Sequence, residues 1–342
     1  MIPSARYTTI RVPVAPRSVT SATVQPIPEP IVFPLGSGKP PEACAVAVGN
    51  FDGVHAGHAV IAARLRLAAG RLGLPAVALT FDPHPASVLR PDRAPVPLTT
   101  PRRRAELLLD LGIDAVCVQP ADAALMAVEA EEFYAEVLRG RFGARAVVEG
   151  QDFRFGARRA GDVAMLERLC RSDGVELEVV APLVVDGEPV SSSRLRRLID
   201  AGRVGEARSL MTAAYRLTGV VTTGARRGAT IGFPTANLTD IVTLLPALGV
   251  YAARVQVDGD VFASAVHVGP NVTFDETRVS VEAHLIGFSG DLYGTTLDVD
   301  FLDRVRDTRH FGSVDELTSQ LAADVAAAAR IVATDPIPNR KT

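Results

Sequence analysis

From residue 45 to about 200, short apolar runs alternate with stretches whose apolar residues recur at helical spacing. The runs near 45–48, 76–81, 115–118, 146–149 and 177–185 predict strands. The stretches near 57–72, 101–111, 129–140, 160–171, 192–201 and 203–211 predict helices. This alternation implies a parallel sheet covered by helices. Ligands of such sheets lie beyond the carboxyl ends of the strands. After Tyr215 the pattern changes to successive short strands near 217–223, 250–257, 261–268, 279–287 and 296–303. They predict a small antiparallel barrel or sandwich, closed by a helix from Ser313 to about Val332. The boundary falls near 212–216.

Composition narrows the chemistry. The chain has 342 residues, enough for two domains, and a net charge of −3 that gives no reason to expect a nucleic-acid partner. No apolar run is long enough to span a bilayer, so no membrane partner is expected. Cys44, Cys117 and Cys170 are odd in number, far apart and set among apolar residues, which suits buried reduced thiols and a cytoplasmic setting. Lysine occurs only at positions 39 and 341, and arginine supplies the other 34 basic residues. A G-x-x-x-x-G-K-[ST] phosphate loop is therefore absent, and any phosphate must be held by arginine, histidine, backbone N–H groups or a metal. Residues 1–40, rich in Pro, Ser and Thr, read as a disordered tail. A transit peptide and an over-extended start remain alternative readings of that segment.

The densest signal is Gly49-Asn50-Phe51-Asp52-Gly53-Val54-His55-Ala56-Gly57-His58, directly after the first strand. A glycine turn leads into a helix whose mouth carries His55 and His58, three residues apart and so on one helical face. Free N–H groups and the helix dipole favour an anion there. The two imidazoles point to phosphate chemistry, with metal ligation or a plain polar helix start as the alternatives. Two prolines hold His84 in a rigid loop after the second strand. Asp152, Phe153 and Phe155 follow the fourth strand and suit a flat heteroaromatic ligand; inward packing of both rings is the competing reading. Ser191, Ser192 and Ser193 can cap a helix, with Arg194 and Arg196 or Arg197 reaching an anion at the same end.

In the second half, Gly224, Gly228 and Gly232 are spaced four apart and leave the backbone free to wrap a phosphate chain. Thr235 and Asn237 offer hard oxygen atoms suited to Mg²⁺. Glu282 lies between Val281 and Ala283. On the barrel's inner side it would be a candidate general base; pointing outward it would be only a surface charge. Arg306 and Phe311 precede the last helix.

Taken in order, these motifs resemble the prokaryotic bifunctional riboflavin kinase/FAD synthetase family. The turn fits G-x-F-D-G-x-H-x-G-H, Ser191-Ser192-Ser193-Arg194-Leu195-Arg196 resembles S-S-T-x-I-R, and Pro234-Thr235-Ala236-Asn237 completes the kinase signature. The resemblance covers about residues 40–332. It implies a Rossmann-like α/β nucleotidyltransferase domain over 41–212 and a β-barrel riboflavin kinase domain over 213–335, with a tail at 336–342. It implies phosphorylation of riboflavin to FMN by ATP, then adenylylation of FMN to FAD. By resemblance, His55, His58 and Glu282 are catalytic. Gly49, Asn50, Phe51, Asp52, Gly57, Ser191, Ser192, Ser193 and Arg194 bind ATP in the first half, while His84, Asp152, Phe153 and Phe155 lie by the flavin. Gly224, Gly228, Gly232, Thr235 and Asn237 bind ATP in the second half, the last two with Mg²⁺. Riboflavin, FMN, FAD and ATP are the implied partners, for a monomer or weak homo-oligomer. The sequence departs from the family pattern at Ser193, Thr212-Ala213-Ala214, Ala229, Val272 and His310. Retention of only one activity, a flavin-binding regulatory protein and a polyol-phosphate cytidylyltransferase are the alternatives.

Overall fold

The computed structural model describes residues 43–224, 227–270 and 279–335. The readings made for the tails at 1–40 and 336–342 and for Val272 lie outside the described residues. The first half contains β1 (Cys44–Val48), α1 (Ala56–Leu72), β2 (Ala76–Asp82), α2 (Pro85–Leu89), α3 (Pro101–Asp110) and β3 (Ala115–Pro120). It continues through α4 (Ala123–Ala127), α5 (Ala130–Glu132), β4 (Ala144–Gly150), β5 (Arg154–Phe155), β6 (Gly161–Asp162), α6 (Val163–Asp173) and β7 (Glu176–Val180). The hairpin β8 (Val184–Val185) and β9 (Glu188–Pro189) then leads to α7 (Ser192–Asp200) and α8 (Val204–Leu210).

β1 is buried along its whole length, as a central strand covered on both faces must be. It pairs in parallel with β2 and β4, giving the order β3-β2-β1-β4-β7. The order reverses between β1 and β4, so the ligand crevice of this sheet type falls at the end of β1. The expected strand over 177–185 is two elements: β7 stops at Val180, and the turn after Val185, with Asp186 and Gly187 at positive φ, folds the rest into a hairpin. The helix expected over 129–140 is one turn of α-helix that widens into a π-helix over Phe133–Arg141.

The second half is a barrel, not a sandwich. Its elements are β10 (Tyr215–Thr222), α9 (Arg227–Thr230), β11 (Ala236–Thr239), β12 (Gly249–Val257), β13 (Asp260–Gly269), β14 (Ser280–Leu285), β15 (Thr296–Arg306) and α10 (Val314–Thr334). The six strands close in the order β10-β11-β14-β13-β12-β15. Alternation is strict on β10, β11 and β14: Leu217, Val221, Ala236, Leu238, Val281, Ala283 and Leu285 fill the interior. β11 is the strand that the sequence pattern missed; four residues bounded by a proline leave too short a run for periodicity to register.

The halves share one apolar core. Leu98 and Val190, with Leu195, Leu198 and Ile199 of α7 and Val204, Ala207 and Leu210 of α8, belong to the same buried cluster as Tyr215, Leu217, Tyr251 and Phe301 of the barrel.

Two candidate phosphate-transfer sites

The end of β1 enters a tightly wound turn. Phe51 and Val54 have φ of 46° and 31°, and Gly53 has 81°. At Gly53 an added side chain would also come within 2.8 Å of Leu98. His55 is the N-cap of α1 and His58 its third residue. His58 N–H donates to His55 Nδ1 at 3.4 Å, and His55 N–H donates to His58 Nδ1 at 3.3 Å. This reciprocal arrangement is a capping box built from two imidazoles. The rings stack at 3.7 Å between centroids. A Cβ on Gly57 would press on the His55 ring at 3.1 Å.

The tautomer follows from these bonds. Each Nδ1 accepts, so each neutral ring carries its proton on Nε2 and presents one N–H donor. Burial lowers the His55 pKa to about 4 and holds His58 well below its ordinary value, with the neighbouring His55 and Arg104 adding to the fall at His58. The pair is neutral at physiological pH. It offers hydrogen bonds, not net charge, to an anion.

The cationic charge comes from residues that the sequence reading weighted differently. Asp52, expected at the phosphate, is 2% exposed. Its carboxylate accepts from Leu98 N–H at 3.0 Å and from Thr99 N–H and Oγ1 at 3.0 and 2.9 Å, and it pairs with the guanidiniums of Arg196 and Arg104. A carboxylate so engaged anchors both arginines. Arg194, expected to bind the anion, donates instead to the carbonyls of Val185 and Glu188, both at 2.8 Å, and so braces the β8–β9 hairpin. Arg196 pairs with Asp52 and donates to Val96 O at 2.9 Å. Ser191 caps α7 by accepting from Arg194 N–H, Ser192 Oγ donates to Asp52 O at 2.8 Å, and Ser193 is exposed. Arg104, on α3, was not singled out; it is buried, donates to Thr80 Oγ1 and Phe81 O, and leaves Nε without a partner. The arginine cluster of Arg102, Arg103 and Arg104 was visible in the sequence, but which one turns inward was not.

His84 lies in the short loop after β2, as expected, but Pro85 begins a helix there instead of stopping one: His84 caps α2, accepting from Ala86 N–H at 3.1 Å. Burial lowers the His84 pKa, with Asp52 opposing the fall and Arg196 and Arg104 adding to it. Glu149, also unremarked in the sequence, accepts from Val48 N–H at 2.6 Å beneath the turn, and burial pushes its carboxyl well above the usual carboxylate range. Phe155 is buried against Phe133, while half-buried Phe153 stacks on it at 5.4 Å; Asp152 is exposed.

The barrel site lies on the outer face, beneath α10. Val281, Ala283 and Leu285 point inward, so Ser280, Glu282 and His284 point out. Glu282 points outward and not to the barrel's inner side, yet it is no plain surface charge, because its carboxylate lines a covered cavity of about 140 Å³. Cross-strand register sets Thr222, Asn237, Glu282, His267, Val250 and Arg306 in one row. Thr235 Oγ1 donates to Glu282 Oε2 at 3.3 Å and Ser280 Oγ to Oε1 at 3.1 Å. Burial keeps His267 below its ordinary pKa. Arg306 is bidentate to Asp324 of α10 and lies 5.6 Å over Phe311; Leu317, Leu321 and Val325 complete the roof. The close packing of Gly224 is specific: a Cβ there would meet Asn237 Nδ2 at 2.2 Å, and one on Gly228 would meet Phe233 O at 2.2 Å. Gly232 has a φ of 89° and open space around it.

An α/β sheet with an anion-binding helix mouth at its switch point, joined to a barrel with a carboxylate beside a glycine loop, defines a two-site phosphate-transfer protein. A FAD synthetase family model matches residues 38–194 and a riboflavin kinase model matches 211–332. The bifunctional riboflavin kinase/FMN adenylyltransferase of Pseudomonas fluorescens is 34% identical over 85% of this chain and 93% of its own length. The protein of the same description from Escherichia coli K12 is 32% identical over 84% and 92%. A crystal structure described as a macrolide-efflux protein from Streptococcus pneumoniae superposes with a TM-score of 0.78 at 32% identity, covering 87% of this chain and 99% of that one. Efflux is said of that protein; among the described residues here, no helix is long and apolar enough to cross a membrane. The chain belongs to the bifunctional riboflavin kinase/FMN adenylyltransferase family.

Proposed function

We propose that the barrel phosphorylates riboflavin and that the α/β module then adenylylates the product, with the residue roles given below. In the barrel, Glu282 takes the proton of the ribityl hydroxyl, whose oxygen attacks the γ-phosphorus of ATP and releases ADP. Thr235 and Ser280 orient the carboxylate by donating to one oxygen each. Neutral His267 beside it adds no competing charge. Thr235 and Asn237 fit Mg²⁺: the Thr235 hydroxyl gives its proton to Glu282 and keeps oxygen lone pairs free. Among the described residues, no cluster of three His, Cys, Asp or Glu is placed to hold a metal; Thr235 and Asn237 would hold it together with the nucleotide. When bound, the metal neutralises phosphate charge.

In the α/β module, a phosphate oxygen of FMN attacks the α-phosphorus of ATP and expels pyrophosphate. The Nε2–H groups of His55 and His58 and the start of α1 are preorganised donors for the charge that develops. Arg196 supplies positive charge from the α7 side, and Phe153 offers a ring face to the flavin. The observation that carries this assignment is the reciprocal imidazole cap, which fixes both Nε2–H donors at a helix mouth. The test is incubation with MgATP and either riboflavin or FMN, with flavins separated by chromatography. His58→Ala should stop at FMN, and Glu282→Gln should lose riboflavin phosphorylation by roughly 100-fold or more while still converting added FMN to FAD. Equal loss of both activities in both variants refutes the two-site assignment.

A further inference from the structure

The peptide between Val54 and His55 is held from outside its own turn. Val54 is β-branched and sits at a φ of 31°, a conformation that needs support from its surroundings. Part of that support is local, Val54 N–H donating to Phe51 O at 3.1 Å, and part comes from Thr99, whose Oγ1 accepts from Gly53 N–H at 3.2 Å. The rest comes from the segment that leads into the barrel. Val54 O accepts twice from Thr212, from its N–H at 3.2 Å and from its hydroxyl at 2.7 Å. Met211 forms an isolated antiparallel bridge with His55. Three residues beyond Thr212, β10 begins at Tyr215, wholly buried in the shared core.

We propose that Thr212 is a positioning residue for adenylyl transfer, acting through the Val54–His55 peptide. The His55 N–H is part of that peptide and donates to His58 Nδ1. Its orientation therefore sets where the His58 ring directs its Nε2–H, and the His55 ring stacks on that ring at 3.7 Å. Thr212 touches no reacting atom. Its hydroxyl fixes the carbonyl end of the peptide, and the reciprocal imidazole cap fixes the amide end. The segment Thr212-Ala213-Ala214 is also where the sequence departs from the family pattern, with no proline to stiffen it. This inference rests on the assignment of adenylyl transfer to His55 and His58.

The test uses the full-length chain with substitutions Thr212→Ala, Thr212→Val and Thr212→Ser, none of which removes the backbone N–H. Steady-state FMN adenylylation, riboflavin phosphorylation and thermal midpoint are measured for each. Loss of the hydroxyl in the Ala and Val variants should lower kcat for FAD formation about 5- to 10-fold, the scale of one hydrogen bond. KM for ATP and FMN should stay within about 2-fold, because ground-state contacts are untouched. Riboflavin phosphorylation should be unchanged, and Thr212→Ser should restore kcat. Unaltered kcat in Thr212→Ala refutes the proposal. So does a parallel fall of both activities with the thermal midpoint, which marks a merely structural bond, or a failure of serine to rescue. If the wild-type chain itself makes no FAD from FMN, the adenylyl-transfer assignment fails instead.

Discussion

Replacing Asp52 by Asn changes a single atom's chemistry at the most heavily bonded carboxylate of the first site. The side chain keeps its shape and one acceptor oxygen. It loses the charge that faces Arg196 and Arg104, and its new NH₂ group meets donors on every side: Leu98 N–H, Thr99 N–H, Thr99 Oγ1 and the guanidinium of Arg196. Asp52 is 2% exposed, and the Arg104 and Arg196 side chains are 5% and 18% exposed, so water cannot replace the lost partner. Removing one member of a buried ion pair costs about 3–5 kcal/mol. That is a large fraction of the ~5–15 kcal/mol that holds a domain folded. At roughly 2–4 °C per kcal/mol for a unit of this size, the thermal midpoint should drop about 6–20 °C. Differential scanning calorimetry on wild-type and Asp52→Asn protein measures it directly. Adenylylation should fall at temperatures where the variant is still folded, because Arg196 is no longer anchored. A midpoint within about 2 °C of wild type, or a variant with normal FAD formation, refutes the reasoning that Asp52 organises the arginines.

Two further outcomes follow from the same geometry. Gly224→Ala should displace only the end of the Asn237 side chain, so riboflavin phosphorylation should fall about 10-fold or more at little cost in thermal midpoint; Gly228→Ala presses on the backbone carbonyl of Phe233 and should lower the midpoint as well. Equal stability of the two variants, measured by thermal melts, would contradict the contact distances. Stability should also fall on acidification. His55 has a pKa of about 4 in the folded chain and an ordinary value near 6.5 when unfolded, so below about pH 6.5 the unfolded chain takes up a proton that the folded chain refuses. The contribution is fully present above that pH and is lost progressively towards pH 4, about 2 kcal/mol of it by pH 5 for His55 alone. An unchanged thermal midpoint between pH 7.5 and pH 5 would show that the ring is not held neutral.

The fold was legible where periodicity runs long. The alternation over 45–200 announced a parallel sheet, and the glycine turn before His55 and His58 marked its ligand end without any structure. The outward or inward sense of a residue was less legible. Glu282 sits on a strand whose alternation was plain, yet its setting depends on α10, which begins over thirty residues later and roofs the barrel's outer face. Asp52 entered the ATP-binding set through the resemblance of its turn alone; its partners lie at Leu98, Thr99, Arg104 and Arg196, far along the chain. Arg194 and Arg196 are indistinguishable in a serine–arginine run. The β8–β9 hairpin, which no period announces, takes one of them and leaves the other to Asp52.

The apolar cluster that runs from α7 and α8 into the barrel bears on how this chain can be taken apart. Two catalytic modules in tandem invite dissection at the linker near Thr212. A cut there would leave Leu195, Leu198, Ile199 and Leu210 on one fragment and Tyr215, Leu217 and Phe301 on the other, each facing solvent with half of a core. An ion pair straddles the same line, since Arg208 of α8 meets Asp335 at the end of α10, where Arg254 of the barrel also pairs. The chemical frontier between the two activities and the mechanical frontier of the polypeptide therefore do not coincide. A barrel fragment that keeps α7 and α8 retains its wall, and the sheet left behind gives up the helix that carries Arg196.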